Sequence, residues 1–264
     1  MSINTFIGFL AAFALFLGSI FLSTDNYLIF VSGSSLVMVI GGTITATFIS
    51  YEFRYVMLAL KGILSTFKIY RMGRGILNQE VGRLIRWGYL VQQKGLPALE
   101  AEAKAAGADP FVRFALDMVV SGYSGEDVRT ILANTIDTTF ERDCVPAKIL
   151  KAMAGTAPAF GMLGTLIGLI IMLDNMGADP TQLGSGLAVA LNTTLYGIVL
   201  ARMVFLPAAS KVQQRQEILR FRHELIAEGF ALLADRRPPR YIQDRMNSFL
   251  DPSIRFDIDK QMKR

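Results

Sequence analysis

Two apolar stretches carry the side chains that could handle an ion. Ala152 to Leu173 contains no charged residue, and Leu183 to Leu206 contains only Arg202. Small and hydroxyl-bearing residues recur along each stretch at spacings of three and four, which places them on one face of a helix. Such faces could pack closely together or line a narrow aqueous path. The first face holds Gly161, Thr165, Gly168 and Met172, and the second holds Gly186, Ala190, Thr193, Gly197 and Ala201, flanked by Asn192 and Thr194.

Both interpretations of these faces stay open, because a threonine in an apolar helix often donates its hydroxyl back to its own backbone. Pro158 and Asn192 add polar character that packing alone does not require. No Asp, Glu or Lys lies inside any apolar stretch. A proton or cation that crosses a membrane usually needs an ionisable relay. If ions pass here, the carboxylate must therefore come from another chain.

Enzyme chemistry has little support in the sequence. The only histidine, His223, lies in a charged helical stretch, where we expect a solvated surface residue. The HExxH, GxSxG and GxxxxGK[ST] motifs are absent. The only cysteine, Cys144, cannot form an intrachain disulfide and is expected to be structural. We predict a protein that is not an enzyme and that holds no metal or cofactor.

Length and hydropathy indicate a membrane protein. The 22 residues from Ala152 to Leu173 would reach roughly 33 Å as a helix, enough to cross a hydrocarbon core of about 30 Å. Two further apolar runs, Ile3 to Leu22 and Tyr27 to Tyr51, precede this one, so four spans are predicted in all. The first run lacks a basic leader and a cleavage site, which favours a retained helix over a signal peptide.

The basic residues fix the expected orientation. All 27 Lys and Arg fall in two blocks, 14 from Arg54 to Lys151 and 13 from Arg202 to Arg264. This is the positive-inside pattern, and it argues against a nucleic-acid partner. Both termini are then cytoplasmic. The expected organisation is spans one and two in 1–51, a cytoplasmic insertion in 52–147, spans three and four in 148–206, and a cytoplasmic helix and tail in 207–264.

The cytoplasmic insertion is predicted to be helical. Gln79 to Gln93 shows helical apolar spacing and should stop at Gly95. Pro97 and Pro110 each stand where a first helical turn would begin. Ser124 and Asp127 resemble a capping box. The fold class is therefore all-α, a polytopic membrane protein with four transmembrane helices and a helical cytoplasmic domain.

The two late stretches resemble a known family. APAFGMLGTLIGLIIML and LAVALNTTLYGIVLARMVFLP are similar to spans three and four of the MotA/PomA family, the channel subunit of the bacterial flagellar stator in the MotA/TolQ/ExbB superfamily. FVSGSSLVMVIGG in span two, the insertion of roughly 100 residues and the last helix support the resemblance across the chain.

The resemblance implies partners and a place in the cell. Five such subunits would surround two copies of a single-span MotB/PomB-type partner in the bacterial inner membrane. The partner's membrane aspartate would bind the transported Na⁺ or H⁺, and its periplasmic domain would grip peptidoglycan.

Roles carried over from the family fall on individual residues. Pro158 and Pro207 match prolines that couple ion flow to torque, with Gly168 and Gly197 in structural support. Thr165, Thr194 and the adjacent Thr193 match positions where sodium-driven members keep threonine, which favours sodium. Gly161 and Asn192 would line the same path. Ser32 stands where PomA tends to have aspartate, which counts against sodium.

A rotor contact is also implied. Family members carry R-x-x-G-x-x-x-L-E, which presents charges to the rotor protein FliG. Here QQKGLPALE keeps Glu100 but has Gln92 in place of the arginine. Lys94 or Arg86 would have to supply the missing charge.

Two other functions are compatible with the sequence. A TolQ/ExbB-like energiser of outer-membrane processes belongs to the same superfamily but has three spans and an outside N-terminus. A non-conducting membrane scaffold would explain the packing faces without ion flow.

Overall fold

The computed structural model describes residues 3–66, 74–100, 109–174 and 180–257. The chain divides into two compact units. One comprises residues 1–70 and 143–215, and the other comprises residues 71–142 and 216–264. We call them the apolar unit and the polar unit and describe each by itself.

The described residues are helical, with no strand among them. The all-α fold class is therefore confirmed for this part of the chain. The α-helices are α1 (Ile3–Ser23), α2 (Gly33–Leu36), α3 (Gly42–Ser50), α4 (Phe53–Ser65), α5 (Arg74–Lys94), α6 (Pro110–Val120), α7 (Gly125–Asp174), α8 (Pro180–Val199), α9 (Leu206–Ala234) and α10 (Pro239–Asn247).

The second apolar run is broken where the sequence predicted one continuous span. It starts with a 3₁₀ turn, Tyr27–Phe30, and resumes in α2 after an extended Ser32 (φ −127°, ψ 112°). The Ser32 hydroxyl caps α2 by accepting from the backbone N–H of Ser35. A π-helical turn, Val37–Gly41, then leads into α3. Breaks of this kind persist in membranes only where neighbouring helices supply polar partners.

The third apolar stretch is the last part of a much longer helix. α7 has 50 residues and continues through Pro146 and Pro158. Each proline removes one backbone donor from the helical ladder without ending the helix. The fourth stretch continues in the same way, because a π-helical turn, Leu200–Phe205, joins α8 to α9 and Pro207 lies just inside α9. The predicted membrane boundaries at 147/148 and 206/207 fall within helices and remain predictions.

Three helical segments are long and apolar enough to cross a membrane: Tyr27–Ser50, Gly125–Asp174 and Gly186–Ala234. A shorter apolar helix covers Ile7–Ser23. The described part of the chain is thus helical, and several of its helices have the length and hydropathy of membrane spans.

In the apolar unit, small side chains occupy much of the core and large aliphatic side chains lie at the surface. Half of the residues in its buried core are alanines, among them Ala59, Ala147 and Ala157, and they lie beside larger side chains such as Leu150 and Phe205. By contrast, Leu22, Ile49 and Ile170 are 92%, 82% and 65% exposed. Small residues let helices approach closely, and large exposed aliphatic side chains suit a surface that faces lipid rather than water.

The polar unit has an ordinary hydrophobic core. Trp87 of α5 packs against Phe230 of α9 with ring centroids 5.7 Å apart, and Leu84, Leu132 and Ile242 are fully buried beside them. Leu84 and Trp87 lie on the apolar face predicted for Gln79 to Gln93.

Helix ends in the polar unit follow their predicted signals. Gly95 ends α5 with φ +77°, a conformation that favours glycine. Pro110 is the first residue of α6. The Ser124 hydroxyl accepts from the Asp127 N–H at 3.1 Å and donates to its carboxylate at 2.6 Å, which confirms the capping box. A helix begins at Pro97, as predicted, but residues 101–108 lie outside the described residues, as do residues 175–179 between α7 and α8.

A buried ion-pair network crosses the polar unit. The Arg222 guanidinium donates to the Glu80 carboxylate at 2.6 Å and to the Asp109 carboxylate at 2.5 Å, and its side chain is 10% exposed. Arg83 also pairs with Glu80. Burial alone would lower the pKa of Arg222, but its hydrogen bonds to both carboxylates outweigh burial and raise that pKa.

His223 is half-buried, so the prediction of a solvated histidine is wrong. Its ring stacks on Phe111 with centroids 4.1 Å apart. Burial lowers the pKa of His223, and the nearby Asp109 carboxylate offsets only part of that effect. Phe111 lies more than 100 residues earlier in the chain, so this contact could not be predicted from the residues around His223.

Candidate functional site

The two predicted faces meet each other. A Cβ atom added at Gly161 of α7 would lie 2.9 Å from the Thr193 carbonyl oxygen and 3.2 Å from the Thr194 Cα. One added at Gly197 of α8 would lie 2.7 Å from the Ala157 carbonyl oxygen. Contacts this short leave no room for a side chain. The glycines are therefore needed for the backbones of α7 and α8 to approach this closely.

The glycine contacts continue along α7. A Cβ atom at Gly168 would lie 2.8 Å from the Ala190 Cβ. One at Gly186 would lie 3.2 Å from the Met172 Cβ. The small stripes read from the sequence thus form one helix–helix interface within a single chain.

A threonine pair lies at this interface. The hydroxyl oxygens of Thr165 and Thr194 are 2.5 Å apart. Thr165 also contacts the carbonyl oxygens of Ala190 at 2.9 Å and Gly161 at 3.1 Å. The Thr194 hydroxyl lies 3.5 Å from the same Gly161 carbonyl. Both side chains are partly exposed.

This arrangement gathers four neutral oxygens from two helices. Hydroxyl and backbone carbonyl oxygens are ligands that can replace part of the hydration shell of a hard cation. The described residues include no group of three or more His, Cys, Asp or Glu side chains that could hold a metal. The threonine pair can therefore contact a cation, but it cannot take up a proton in the way a carboxylate does.

Thr193 and Asn192 are committed to other contacts. The Thr193 hydroxyl donates to the Ala190 carbonyl at 2.7 Å, and its side chain is 2% exposed. Its methyl group fills the space beside Gly164, where an added Cβ would lie 2.6 Å from it. The Asn192 amide donates to the Ile29 carbonyl at 2.7 Å. Within this chain both residues hold structure, and their predicted place along an ion path stays a prediction.

Tyr196 is a residue that sequence reasoning missed. Its hydroxyl donates to the Phe30 carbonyl at 2.5 Å and accepts from the Ser32 N–H at 2.9 Å. The Ser35 hydroxyl adds a bond to the Val189 carbonyl at 3.1 Å. Together with Asn192, these bonds satisfy the backbone where the second span is broken. The sequence signal for this break was the group of serines and glycine at the start of the second apolar run.

Pro158 lies at the closest helix approach. Its Cα would be 3.1 Å from a Cβ added at Gly197. Because proline has no N–H, the carbonyl four residues earlier, at Ala154, lacks its usual helical donor. Pro207 is exposed, near the start of α9.

The predicted rotor-contacting residues all lie at the surface of the polar unit. Arg86, Gln92 and Lys94 are exposed on α5, and Glu100 is exposed in the helix that begins at Pro97. The side chains are thus accessible, and their role stays a prediction.

Comparison with known proteins extends over the whole chain. Residues 103–225 match the MotA/TolQ/ExbB proton channel family. The chain is 30% identical to chemotaxis protein PomA of Vibrio alginolyticus, over 98% of this chain and all of that one. It is 32% identical to motility protein A of Treponema phagedenis, over 99% of each chain.

Solved structures show the same fold. The chain superposes on a chain of the flagellar MotAB stator complex from Bacillus subtilis with a TM-score of 0.82, at 25% identity, covering all of this chain and 98% of that one. A C. jejuni MotAB chain matches with a TM-score of 0.84 at 24% identity over 96% of this chain and 97% of that one, which bears on the fold alone. Since the sequence similarity to PomA and motility protein A is full-length, this chain belongs to the MotA/PomA family within the MotA/TolQ/ExbB proton channel family.

Proposed function

We propose that this chain is the channel-forming subunit of a flagellar stator that works with a MotB/PomB-type partner. The pair passes a cation, with sodium favoured over the proton, across the bacterial inner membrane and converts the influx into torque. The full-length similarity to PomA and motility protein A supports the motility role. Members of the family are channel and stator subunits, so the chain is not an enzyme.

The contact between Thr165 and Thr194 carries the sodium preference. The Thr165 hydroxyl lies within 3.1 Å of three other neutral oxygens, and such a set suits a partly dehydrated sodium ion. A proton needs an ionisable group instead. The partner's aspartate supplies the negative charge that the spans of this chain lack.

The proposed topology has four spans. α1 has 21 residues, or about 31 Å of helix, and joins the three longer candidate spans. With the basic residues on the inner side, both termini are cytoplasmic. The large exposed aliphatic side chains of the apolar unit suit contact with lipid and with other copies in a ring of five.

The proposed rotor contact is electrostatic. Arg86, Lys94 and Glu100 are exposed and charged, and they would face FliG. Gln92 contributes no charge at the position where the family has arginine, so Lys94 and Arg86 carry the basic side of the contact.

The energiser and scaffold functions have less support. Full-length relatives at 30% and 32% identity are motility proteins. A topology reporter fused at the N-terminus would separate the energiser, whose N-terminus is outside, from the stator, whose N-terminus is inside.

Swimming speed tests the sodium path. In cells that depend on this chain for motility, we expect Thr165→Val and Thr194→Val to lower the speed at low sodium and to raise the sodium concentration needed for half-maximal speed. Each change keeps the side-chain shape and removes one oxygen. Thr156→Val is the matched control, because Thr156 lies on the same helix and donates only to its own backbone, at Ala152.

An uncoupler separates the two ions. With a sodium-driven path, dissipating the proton gradient while sodium is maintained should leave the wild-type speed largely intact. If both threonine variants assemble and keep the wild-type sodium dependence, the lining role is wrong.

A further inference from the structure

A cavity of about 600 Å³ opens in the apolar unit beside the fourth apolar stretch. One wall is formed by α1, through Phe9 and Ala12. Ile63 of α4 also lines the cavity, as do Met203, Val204 and Ala208 at the junction of the π-helical turn and α9. The walls are therefore mainly apolar, and the volume lies within the range of about 300–1,000 Å³ typical of small-molecule sites.

Two cations line the same cavity. Arg202 and Lys211 both border it, and no acidic residue is among the described residues that line it. The two residues are nine positions apart, which corresponds to roughly 13 Å along a helix. An apolar lining that includes two basic side chains suits an amphipathic ligand with a negatively charged head.

The position of the cavity along the chain favours a lipid. Arg202 is the first basic residue after Lys151, so it marks where the fourth apolar stretch gives way to the basic cytoplasmic segment. Such residues lie at the level of the inner-leaflet headgroups. Basic pockets between membrane helices on that side bind anionic lipid headgroups.

We propose that this cavity is a binding site for one anionic phospholipid of the inner leaflet. The phosphate lies between Arg202 and Lys211, and part of an acyl chain packs against Phe9 and Met203. The site is separate from the threonine pair, and its test does not depend on motility or on the transported ion.

Lipid binding to the purified full assembly provides the test. We would add dioleoyl phosphatidylglycerol or dioleoyl phosphatidylcholine to the delipidated complex and measure bound lipid by native mass spectrometry. The wild type should bind phosphatidylglycerol in preference. The double variant Arg202→Gln, Lys211→Gln should bind it about thirty-fold more weakly, as expected for the loss of two basic residues near an anionic group.

Matched controls make the outcome specific. The double variant Arg54→Gln, Lys61→Gln removes the same charge from exposed positions on α4 that do not line the cavity, and it should bind as the wild type does. Ala12→Phe fills the apolar part without changing charge, and it should also weaken binding. This second variant keeps the proposal testable if the double charge variant fails to assemble.

Four results would overturn the proposal. Equal binding of the two lipids would show that the headgroup charge is not recognised. Equal losses in both double variants would show that the effect is a general one of net charge. If inorganic phosphate at the same concentration as the lipid displaced the bound lipid, the cavity would be an anion site and not a lipid site. Absence of any bound lipid would fit occupation of the cavity by a second copy of this chain.

Discussion

The contribution of a charged side chain to the stability of the polar unit depends on how deeply that side chain is buried. Arg222 and Arg220 are two positions apart on α9. Arg222 is 10% exposed and holds two carboxylates, whereas Arg220 is 40% exposed and pairs with Asp137 and Glu224 at the surface. A buried charge that loses its partner is costly, whereas an exposed pair contributes little.

Arg222→Leu should therefore destabilise the polar unit strongly. We expect a loss of about 3 kcal/mol, near the low end for breaking a buried pair, because Glu80 keeps its contact with Arg83. Arg220→Leu, the control, should cost less than about 1 kcal/mol. Denaturant unfolding of the purified assembly, followed by Trp87 fluorescence, would measure both. Similar losses of stability in the two variants would show that the burial of Arg222 does not set its contribution.

His223 should make the polar unit sensitive to mild acid. Its pKa is lowered in the folded state from an ordinary value of 6.5, so the unfolded chain takes up a proton first as pH falls. The contribution of the neutral His223 to the stability of the polar unit is thus fully present above pH 6.5 and declines as the pH falls below that value. Melting temperatures between pH 7.5 and 5.5 should fall in the wild type and change less in His223→Phe. An identical slope in the variant would exclude this histidine as the cause.

From the sequence, the threonines could be chosen as candidate site residues, but their different contacts could not be predicted. Asn192, Thr193 and Thr194 are consecutive, so each points about 100° away from the next around the helix. Only the neighbouring helices determine that Thr194 meets Thr165, that Thr193 packs on Gly164 and that Asn192 reaches Ile29. The Tyr196 hydroxyl was overlooked because its acceptor and donor lie more than 160 residues earlier.

At the scale of helices, glycine placement sets the geometry of the candidate site. The Thr165–Thr194 contact depends on the close approach of α7 and α8 at Gly161 and Gly197. The obstacles to a larger residue there are backbone atoms, which cannot move aside as a flexible side chain can. Crowding a packed interface typically costs about 1–3 kcal/mol.

Gly161→Ala should therefore separate the two helices and reduce motility, with lower stator assembly or a lower thermal stability. Gly155→Ala is the control, because it lies on the same helix and an added Cβ there has nothing within 4 Å. We expect Gly155→Ala to behave as the wild type in swimming and in thermal stability of the purified assembly. Normal swimming by both variants would show that the close approach is not required.

Helix positions were predictable from the sequence, whereas their continuity was not. Apolar periodicity, Gly95 and the Ser124–Asp127 box marked the polar unit correctly. The second span was predicted to be unbroken because hydropathy does not register which backbone groups find distant partners. The 50-residue length of α7 was also missed, since Pro146 and Pro158 are compatible with either an ended or a continued helix.

For the whole molecule, the central claim is that the chain supplies neutral oxygens and its partner supplies the charge. The described part of the apolar stretches holds threonines and carbonyls in contact, and the sequence places no Asp, Glu or Lys inside these stretches. Under the proposed function, a MotB/PomB-type partner supplies the missing charge.

Sodium flux through proteoliposomes tests this claim most directly. Vesicles would hold the chain alone, the chain with its MotB/PomB-type partner freed of any segment that blocks flow, or the same pair with the partner's membrane aspartate changed to asparagine. The account predicts flux only in the second preparation. Flux through the chain alone, or flux that survives the aspartate change, would contradict it.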